Sequence, residues 1–324
     1  MDADERRQRR EEARRRLVKQ RRIAAAAGLL LLAAVLAVSA SAFLGGGDGG
    51  GNDDDEAKAA KPAELPRGGR EILPRNRVVA FYGAPQDREL GALGIGTPRQ
   101  AGKRLERQAR AYRRRGGRPI LPAFELISTI ASNAPGPDND WADRQPAKTI
   151  NTYLEAARAQ RALMILDIQP GQAKFMDEVR ALRRYLLEPD VSLALDPEWS
   201  MEEGEVPGRT IGSTDAATIN EVSAYLSRIV RSRRLPQKLL VIHRFTHDMI
   251  ENESQLKKYP GVALAINVDG FGGQEIKIAK YRDFTKGRRR DLNGYKLFYK
   301  EDTNLMTPRQ VLRLKPVPDL VIYE

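Results

Sequence analysis

The sequence predicts a TIM-like (βα)₈ barrel of the α/β class, and three observations predict it. Eight short apolar runs follow residue 76, and most are continuously apolar, as is typical of parallel strands covered on both faces. Amphipathic stretches with helical spacing separate many of these runs, which favours a parallel barrel or an open doubly wound sheet. Eight runs exceed the roughly five or six strands of an open sheet, and no glycine-rich phosphate loop follows the first run, so we expect the barrel.

The predicted strands are, in chain order, RVVAFYG (77–83), PILPAFELI (119–127), ALMILDIQ (162–169), VSLALD (191–196), KLLVIHRF (238–245), VALAINVD (262–269), YKLFY (295–299) and DLVIYE (319–324). The predicted helices cover residues 98–115, 149–160, 173–186, 215–232 and 307–314. In the fourth helix, Asp215 is suited to cap the N-terminus, ahead of an apolar stripe that starts at Ile219.

The eighth run ends at Glu324, where the sequence ends, so we expect the eighth helix of the barrel to be absent. Such an absence would leave a seam beside the last strand. Residues 56–73 would cover that seam, or it would be open to a protein partner.

The N-terminal residues predict a membrane anchor. Residues 1–22 hold ten Lys or Arg against five Asp or Glu, and residues 23–44 are 22 residues without a charge. A helix of that length spans about 33 Å, enough for a hydrocarbon core of roughly 30 Å. The basic flank places residues 1–22 in the cytoplasm and the barrel outside the cell. The alternative is a secreted protein cleaved near Ala42, after a small-x-small sequence.

A flexible linker is predicted between the anchor and the barrel. Residues 45–71 are rich in Gly, Asp, Ala and Pro and cannot bury a core, so the barrel domain is expected over residues 72–324. The chain has no cysteine, which excludes disulfides and a cysteine nucleophile. Its net charge is +12, but nucleic acid is not an expected partner, because the barrel is predicted to lie outside the cell.

Polar side chains cluster at the predicted strand ends. In barrels of this class, chemistry takes place at the carboxyl ends of the strands and in the loops that follow. A polar group within an apolar run is costly unless it is paired or faces a cleft, so the cluster favours a functional site. The residues at these positions are Tyr82, Glu125, Asp167, Gln169, Asp196, Glu198, His243, Asp269, Glu301 and Tyr323.

The most informative of these positions is the end of the fourth run, where Asp196, Glu198 and Trp199 follow five mostly apolar residues. Residues i and i+2 of a strand point to the same face, so both carboxylates would project together. The second tryptophan, Trp141, lies in the long loop after strand two and would reach the same mouth. Sugar rings pack well on indole, so Trp141 and Trp199 are predicted to bind substrate, together with Tyr82, Glu125, Gln169 and His243.

The sequence Asp196-x-Glu198 at the end of strand four resembles the Asp-x-Glu motif of the lysozyme-type barrel muramidases. The resemblance implies Glu198 as the general acid, Asp196 as its electrostatic partner, and a further acid after strand six, where this chain has Asp269. The family carries an aspartate on strand one, whereas this chain has FYGAP at 81–85. The tethered barrel is also similar to membrane-anchored, glycoside-hydrolase-like proteins of high-GC Gram-positive bacteria.

Three hypotheses follow for the function. The first is a membrane-tethered glycoside hydrolase acting on cell-wall or surface polysaccharide, in which Asp196, Asp167 or Asp269 assists Glu198. The second is a barrel that binds glycan or protein without catalysis. The third is a metal-dependent hydrolase such as a deacetylase, with Asp167, Asp196, His243 and Asp269 as ligands. The first hypothesis requires no metal and no cofactor.

Overall fold

A closed barrel of eight parallel strands forms the centre of the computed structural model, which describes residues 62–113, 117–136, 138–287 and 292–324. The strands are β1 (Arg77–Gly83), β2 (Ile120–Ala131), β3 (Leu163–Ile168), β4 (Val191–Leu195), β5 (Lys238–Arg244), β6 (Val262–Val268), β7 (Leu292–Leu297) and β8 (Leu320–Tyr323). Each strand pairs with the next, and β1 pairs in parallel with both β2 and β8, which closes the barrel. The predicted TIM-like barrel of the α/β class is confirmed.

Helices cover much of the outer surface of the barrel. They are α1 (Pro98–Arg110), α2 (Ala147–Ala159), α3 (Phe175–Ala181), α4 (Arg183–Leu186), α5 (Ala216–Ser232), α6 (Gln274–Phe284) and α7 (Pro308–Val311). The Asp215 side chain accepts a hydrogen bond from the Thr218 amide and caps α5, as predicted. The helix predicted over 173–186 is divided into α3 and α4 at Leu182.

The connection from β5 to β6 carries no α-helix. Its only regular elements are a two-residue strand (Ile250–Glu251) and a 3₁₀ turn (Glu253–Gln255). The outward side chains of Val262 and Leu264 on β6 are therefore only partly buried, and they line a groove of about 930 Å³ on the outside of the barrel.

The seam beside β8 is covered by α1 and the residues after it. The outward-facing Tyr323 is 1 % exposed, and its hydroxyl contacts Gln108 Nε2 at 2.8 Å and the Tyr112 hydroxyl at 2.6 Å. Val321, also outward, is fully buried. At this seam α1 and the residues after it, and not the described residues 62–73, therefore cover β8.

Residues from Leu65 to Leu73 instead close the lower end of the barrel, where the strands begin. Leu65, Ile72 and Leu73 are buried among the apolar side chains of the barrel interior. Gln237, just before β5, accepts hydrogen bonds from the amides of Ile72 and Leu73. The boundary predicted at residue 72 is therefore too late, because these few apolar residues belong to the core.

We expect Ile72→Ala to lower the free energy of unfolding by about 2–5 kcal/mol, because it leaves a cavity in a fully buried position. Urea unfolding of the full chain measures the change. Ile276→Ala is the matched control, since Ile276 is 69 % exposed and should matter little. Equal stability of the two variants would contradict the closure of the barrel by this segment.

Among the residues that the structure describes, no helix combines the length and apolar character needed to cross a membrane. The predicted basic head (1–22), membrane helix (23–44) and first part of the linker (45–61) lie outside the described residues.

Candidate active site

All eight strands present a polar side chain to the barrel interior: Glu125 lies in the middle of the long β2, and the other seven lie at or just after the carboxyl ends of their strands. Deeper in the barrel the inward positions are mostly apolar, so the polar groups form one layer at the mouth. Strand alternation explains the layer, because Ser192 and Ala194 precede Asp196 on the inward face of β4 at intervals of two. The layer consists of Tyr82, Glu125, Asp167, Asp196, His243, Asp269, Lys296 and Glu324.

His243 on β5 joins two carboxylates across the barrel. Its Nδ1 lies 3.0 Å from Asp269 Oδ2, and its Nε2 lies 3.0 Å from Glu125 Oε1. Burial and the Lys296 ammonium oppose protonation, but the two hydrogen bonds outweigh them and raise the pKa of His243 well above its usual value. The two carboxylate contacts of His243 therefore favour its protonated form, in which both ring nitrogens would donate.

Lys296 on β7 is the second buried cation of the layer. Its Nζ donates to Asp269 Oδ2 at 3.0 Å and to Glu324 Oε2 at 2.7 Å, and it lies 3.9 Å from the centre of the Tyr82 ring. Burial opposes its charge, but Asp269 and Glu324 raise the pKa of Lys296 well above its usual value. Asp269 is buried too, yet Lys296 and His243 hold its pKa far below the usual range.

Lys296 and Glu324 are not among the site residues predicted from the sequence. Glu301, taken as the residue at the end of the seventh strand, is exposed in the loop beyond it, and Tyr323 points outward. A charged residue within or directly after an apolar run, at an inward-facing alternating position, could have identified them. Lys296 lies within YKLFY, and Glu324 directly follows LVIY.

Asp167 on β3 carries a second set of contacts. The Tyr82 hydroxyl donates to Asp167 Oδ2 at 3.2 Å, and Gln169 Nε2 donates to the Tyr82 oxygen at 3.0 Å. Burial and the neighbouring Glu125 raise the pKa of Asp167 to about 7, against the lowering effect of His243 and Lys296. Asp167 therefore exchanges its proton near neutral pH.

Asp196, directly after β4, is 4 % exposed. Burial is the main cause that raises the pKa of Asp196 well above its usual value; His243 opposes the shift, whereas Asp167 and Glu198 add to it. Asp167 and Asp196 are thus two interacting carboxyl groups, and a like charge nearby disfavours ionising both. The pair can hold a proton where an ordinary aspartate cannot.

Glu198 and Trp199 lie on a 3₁₀ turn (Pro197–Trp199) that follows Asp196, and both are half-buried. The Gly212 amide donates to the Glu198 carbonyl oxygen at 2.8 Å and fixes the turn. The contact requires a glycine, because a Cβ at position 212 would lie 2.1 Å from the Ser200 carbonyl oxygen. Glu198 is therefore held at the rim, one turn beyond the buried Asp196.

The loops that carry the two tryptophans meet at the same mouth. Gly171, after β3, accepts a hydrogen bond from the Met201 amide, two residues beyond Trp199. On its other side, a Cβ at Gly171 would lie 2.6 Å from the Trp141 carbonyl oxygen. Trp141 has a left-handed φ of 57°, which is costly for a bulky side chain and implies that the surrounding loop holds it. The structure thus brings Trp141 and Trp199 to one end of the barrel.

One carboxylate oxygen each of Glu125 and Asp167 and a ring nitrogen of His243 lie within 4.8 Å of one another, a separation that suits a metal ion. In the arrangement shown, the existing hydrogen bonds of His243 would compete with a metal. An imidazolium has no lone pair for a metal, and Asp269 Oδ2 already accepts from His243 and Lys296. Glu125 Oε2 and Asp167 Oδ1 are buried and accept no hydrogen bond from the described residues.

We expect the free energy of unfolding to depend less on pH in Asp167→Asn than in the wild type. The pKa of Asp167 is about 7 in the folded protein and about 3.9 in an unfolded chain, so the folded state binds more protons between these values. The contribution of Asp167 to the free energy of unfolding is fully present below about pH 4 and is lost as the pH rises to about 7. Urea unfolding across this range measures the slope, and equal slopes would contradict the assignment.

No protein-family model matches the chain, and no curated protein matches it in sequence. Among solved structures, the chain is similar to a GH18 chitinase from Pseudoalteromonas aurantia, with 10 % identity and a TM-score of 0.36. The similarity covers 76 % of this chain and 93 % of that chain.

Proposed function

We propose that the barrel is a glycoside hydrolase that cleaves polysaccharide by carboxyl acid–base catalysis. The observation that carries the proposal is the buried, proton-holding Asp196 at the end of β4, two residues before Glu198 at the rim. Glycoside hydrolysis needs a carboxylic acid that protonates the leaving oxygen and a second carboxylate that stabilises positive charge or activates water. Glu198 at the rim, close in sequence to interior carboxyl groups with raised pKa values, suits this chemistry.

In this mechanism Glu198 donates the proton to the leaving oxygen. Asp196 and Asp167 are the interior carboxyl groups whose raised pKa values let them take up or release a proton while water replaces the leaving group. Asp269 is held ionised by His243 and Lys296, so we assign it an electrostatic role under the positive charge that develops on the sugar ring.

The N-terminal sequence supports a proposed location for the substrate. A basic head and a charge-free segment of 22 residues support a single-pass anchor with the barrel outside the cell. We therefore propose cell-wall or surface polysaccharide as the substrate, with Trp141 and Trp199 as stacking platforms for sugar rings.

The test is hydrolysis of a broad glycan panel by the full chain, with new reducing ends as the readout. Glu198→Gln should lower turnover by about 10²- to 10⁴-fold, because it removes the proton donor and keeps its shape. Equal turnover by the two proteins, or no cleavage of any glycan, would refute the proposal.

A glycan-binding barrel without catalysis is the second candidate. The observation in its favour is the pairing of Glu125, Asp269 and Glu324 with His243 and Lys296, since a charge network that satisfies itself can be structural. This candidate predicts glycan affinity that falls in Trp141→Ala and Trp199→Ala, stays unchanged in Glu198→Gln, and is accompanied by no products.

A further inference from the structure

Lys280 on α6 brings an ammonium group to the rim of the mouth. Helical side chains lean toward the N-terminus of their helix, and α6 begins shortly after β6. Lys280 Nζ lies 4.1 Å from the centre of the Phe245 ring, which directly follows β5. It also packs against Gly270, just beyond β6, where a Cβ would lie 2.6 Å from it. The ammonium thus lies beside the carboxyl ends of β5 and β6.

The charge of Lys280 is not compensated by a direct contact. Among the described residues, none forms a hydrogen bond or an ion pair with its Nζ; its contacts are the rings of Phe245 and Phe284. Lys277, three residues earlier on α6, differs sharply, since its Nζ donates to both oxygens of Asp302 at 2.8 and 2.7 Å. The Lys277 ammonium is therefore paired within the protein, whereas no described residue accepts a hydrogen bond from the Lys280 ammonium.

The charged groups around Lys280 come from three neighbouring elements. Burial lowers the pKa of Lys280 to about 8; Asp269 and Glu198 oppose the shift, while Lys277 and Arg244 add to it. Lys280 is thus close enough to Asp269 and Glu198 to sense their charges, yet it bonds to neither. At neutral pH it remains mostly protonated.

We propose that Lys280 binds an anionic group, a carboxylate or a phosphate, on the polysaccharide that enters the mouth. A half-buried ammonium with free donors gains most from an ionised acceptor, because charge-assisted hydrogen bonds are the strong ones. The Lys280 ammonium lies beside Gly270, directly after Asp269, so the bound group would lie at the same mouth as Glu198. The inference rests on the proposed function and narrows the substrate to an acidic glycan.

The test is calorimetric titration of the full chain in detergent with two pairs of polymers. Oligogalacturonide is compared with its neutral methyl ester, and phosphorylated dextran with plain dextran. We expect one acidic polymer to bind at least about tenfold more tightly than its neutral counterpart, and Lys280→Gln to abolish this preference. Lys280→Arg should keep the preference, and Lys103→Gln, an exposed charge on α1, is the matched control.

The pH dependence gives a second readout. The preference should be present at pH about 6 and lost at pH about 10, on either side of the pKa of Lys280. No acidic preference in the wild type, or equal losses in Lys280→Gln and Lys103→Gln, would overturn the inference. Since binding is measured apart from cleavage, hydrolysis of neutral glycans without acidic preference would refute this inference alone. Acidic preference without any hydrolysis would refute the catalytic proposal alone.

Discussion

Replacing Lys296 with methionine is expected to lower the free energy of unfolding by roughly 3–5 kcal/mol, because it leaves buried carboxylates without their cation. Lys296 Nζ contacts Asp269 Oδ2 and Glu324 Oε2, and Lys296 is 3 % exposed. Methionine keeps much of the side-chain volume, so the loss of stability would come from the missing charge and not from a cavity. Urea unfolding of the full chain at neutral pH measures it.

Lys300→Met is the matched control for this prediction. Lys300 lies four residues further along, half-exposed, and its ion pair with Glu89 is on the surface, where such pairs contribute at most about 1 kcal/mol. If Lys296→Met were as stable as Lys300→Met, the polar layer would not be a mutually dependent network.

Asp196→Asn is expected to lower turnover by about 10²- to 10⁴-fold while the barrel stays folded. The amide is similar in shape to a protonated carboxyl but cannot release or accept a proton in the pH range of the assay. Because the pKa of Asp196 is raised, its protonated form is present at low pH and is lost as the pH rises through that pKa. Wild-type turnover should therefore fall on the alkaline side.

The control for this prediction is Asp177→Asn on α3, where the carboxylate is 57 % exposed and pairs only on the surface with Arg180. It should leave turnover and the pH profile unchanged. An Asp196→Asn variant with wild-type turnover would remove Asp196 from the mechanism, and the interior pair would then be structural.

Much of the polar layer could be predicted from the sequence because parallel strands obey simple rules. Charged residues such as Glu125, Asp167 and His243 interrupt apolar runs, and the carboxyl ends of all strands meet at one mouth. These residues converge there as expected. Their pairing could not be predicted, because the contacts of His243 join β2, β5 and the residue after β6, far apart in the chain.

Lys296 was not predicted as a site residue because the predicted seventh strand begins and ends too far along the chain. The sequence predicted YKLFY (295–299), whereas β7 covers Leu292–Leu297. Asn293-Gly294 resembles a turn. In the structure Gly294 lies within the strand because β6 approaches closely there: a Cβ on Gly294 would lie 2.5 Å from Asn267 Oδ1. Because the predicted strand ends two residues too late, Glu301 and not Lys296 was assigned to its carboxyl end.

The most direct test of the proposed catalysis is glycan cleavage in water enriched in heavy oxygen. The full chain is incubated with the glycan panel, and the masses of the products are measured by mass spectrometry. We predict one heavy oxygen at the new reducing end of each product with the wild-type protein, and little product with Glu198→Gln or Asp196→Asn. Products without the label, or equal labelled product from all three proteins, would contradict the assignment of these carboxyl groups as the acid–base site.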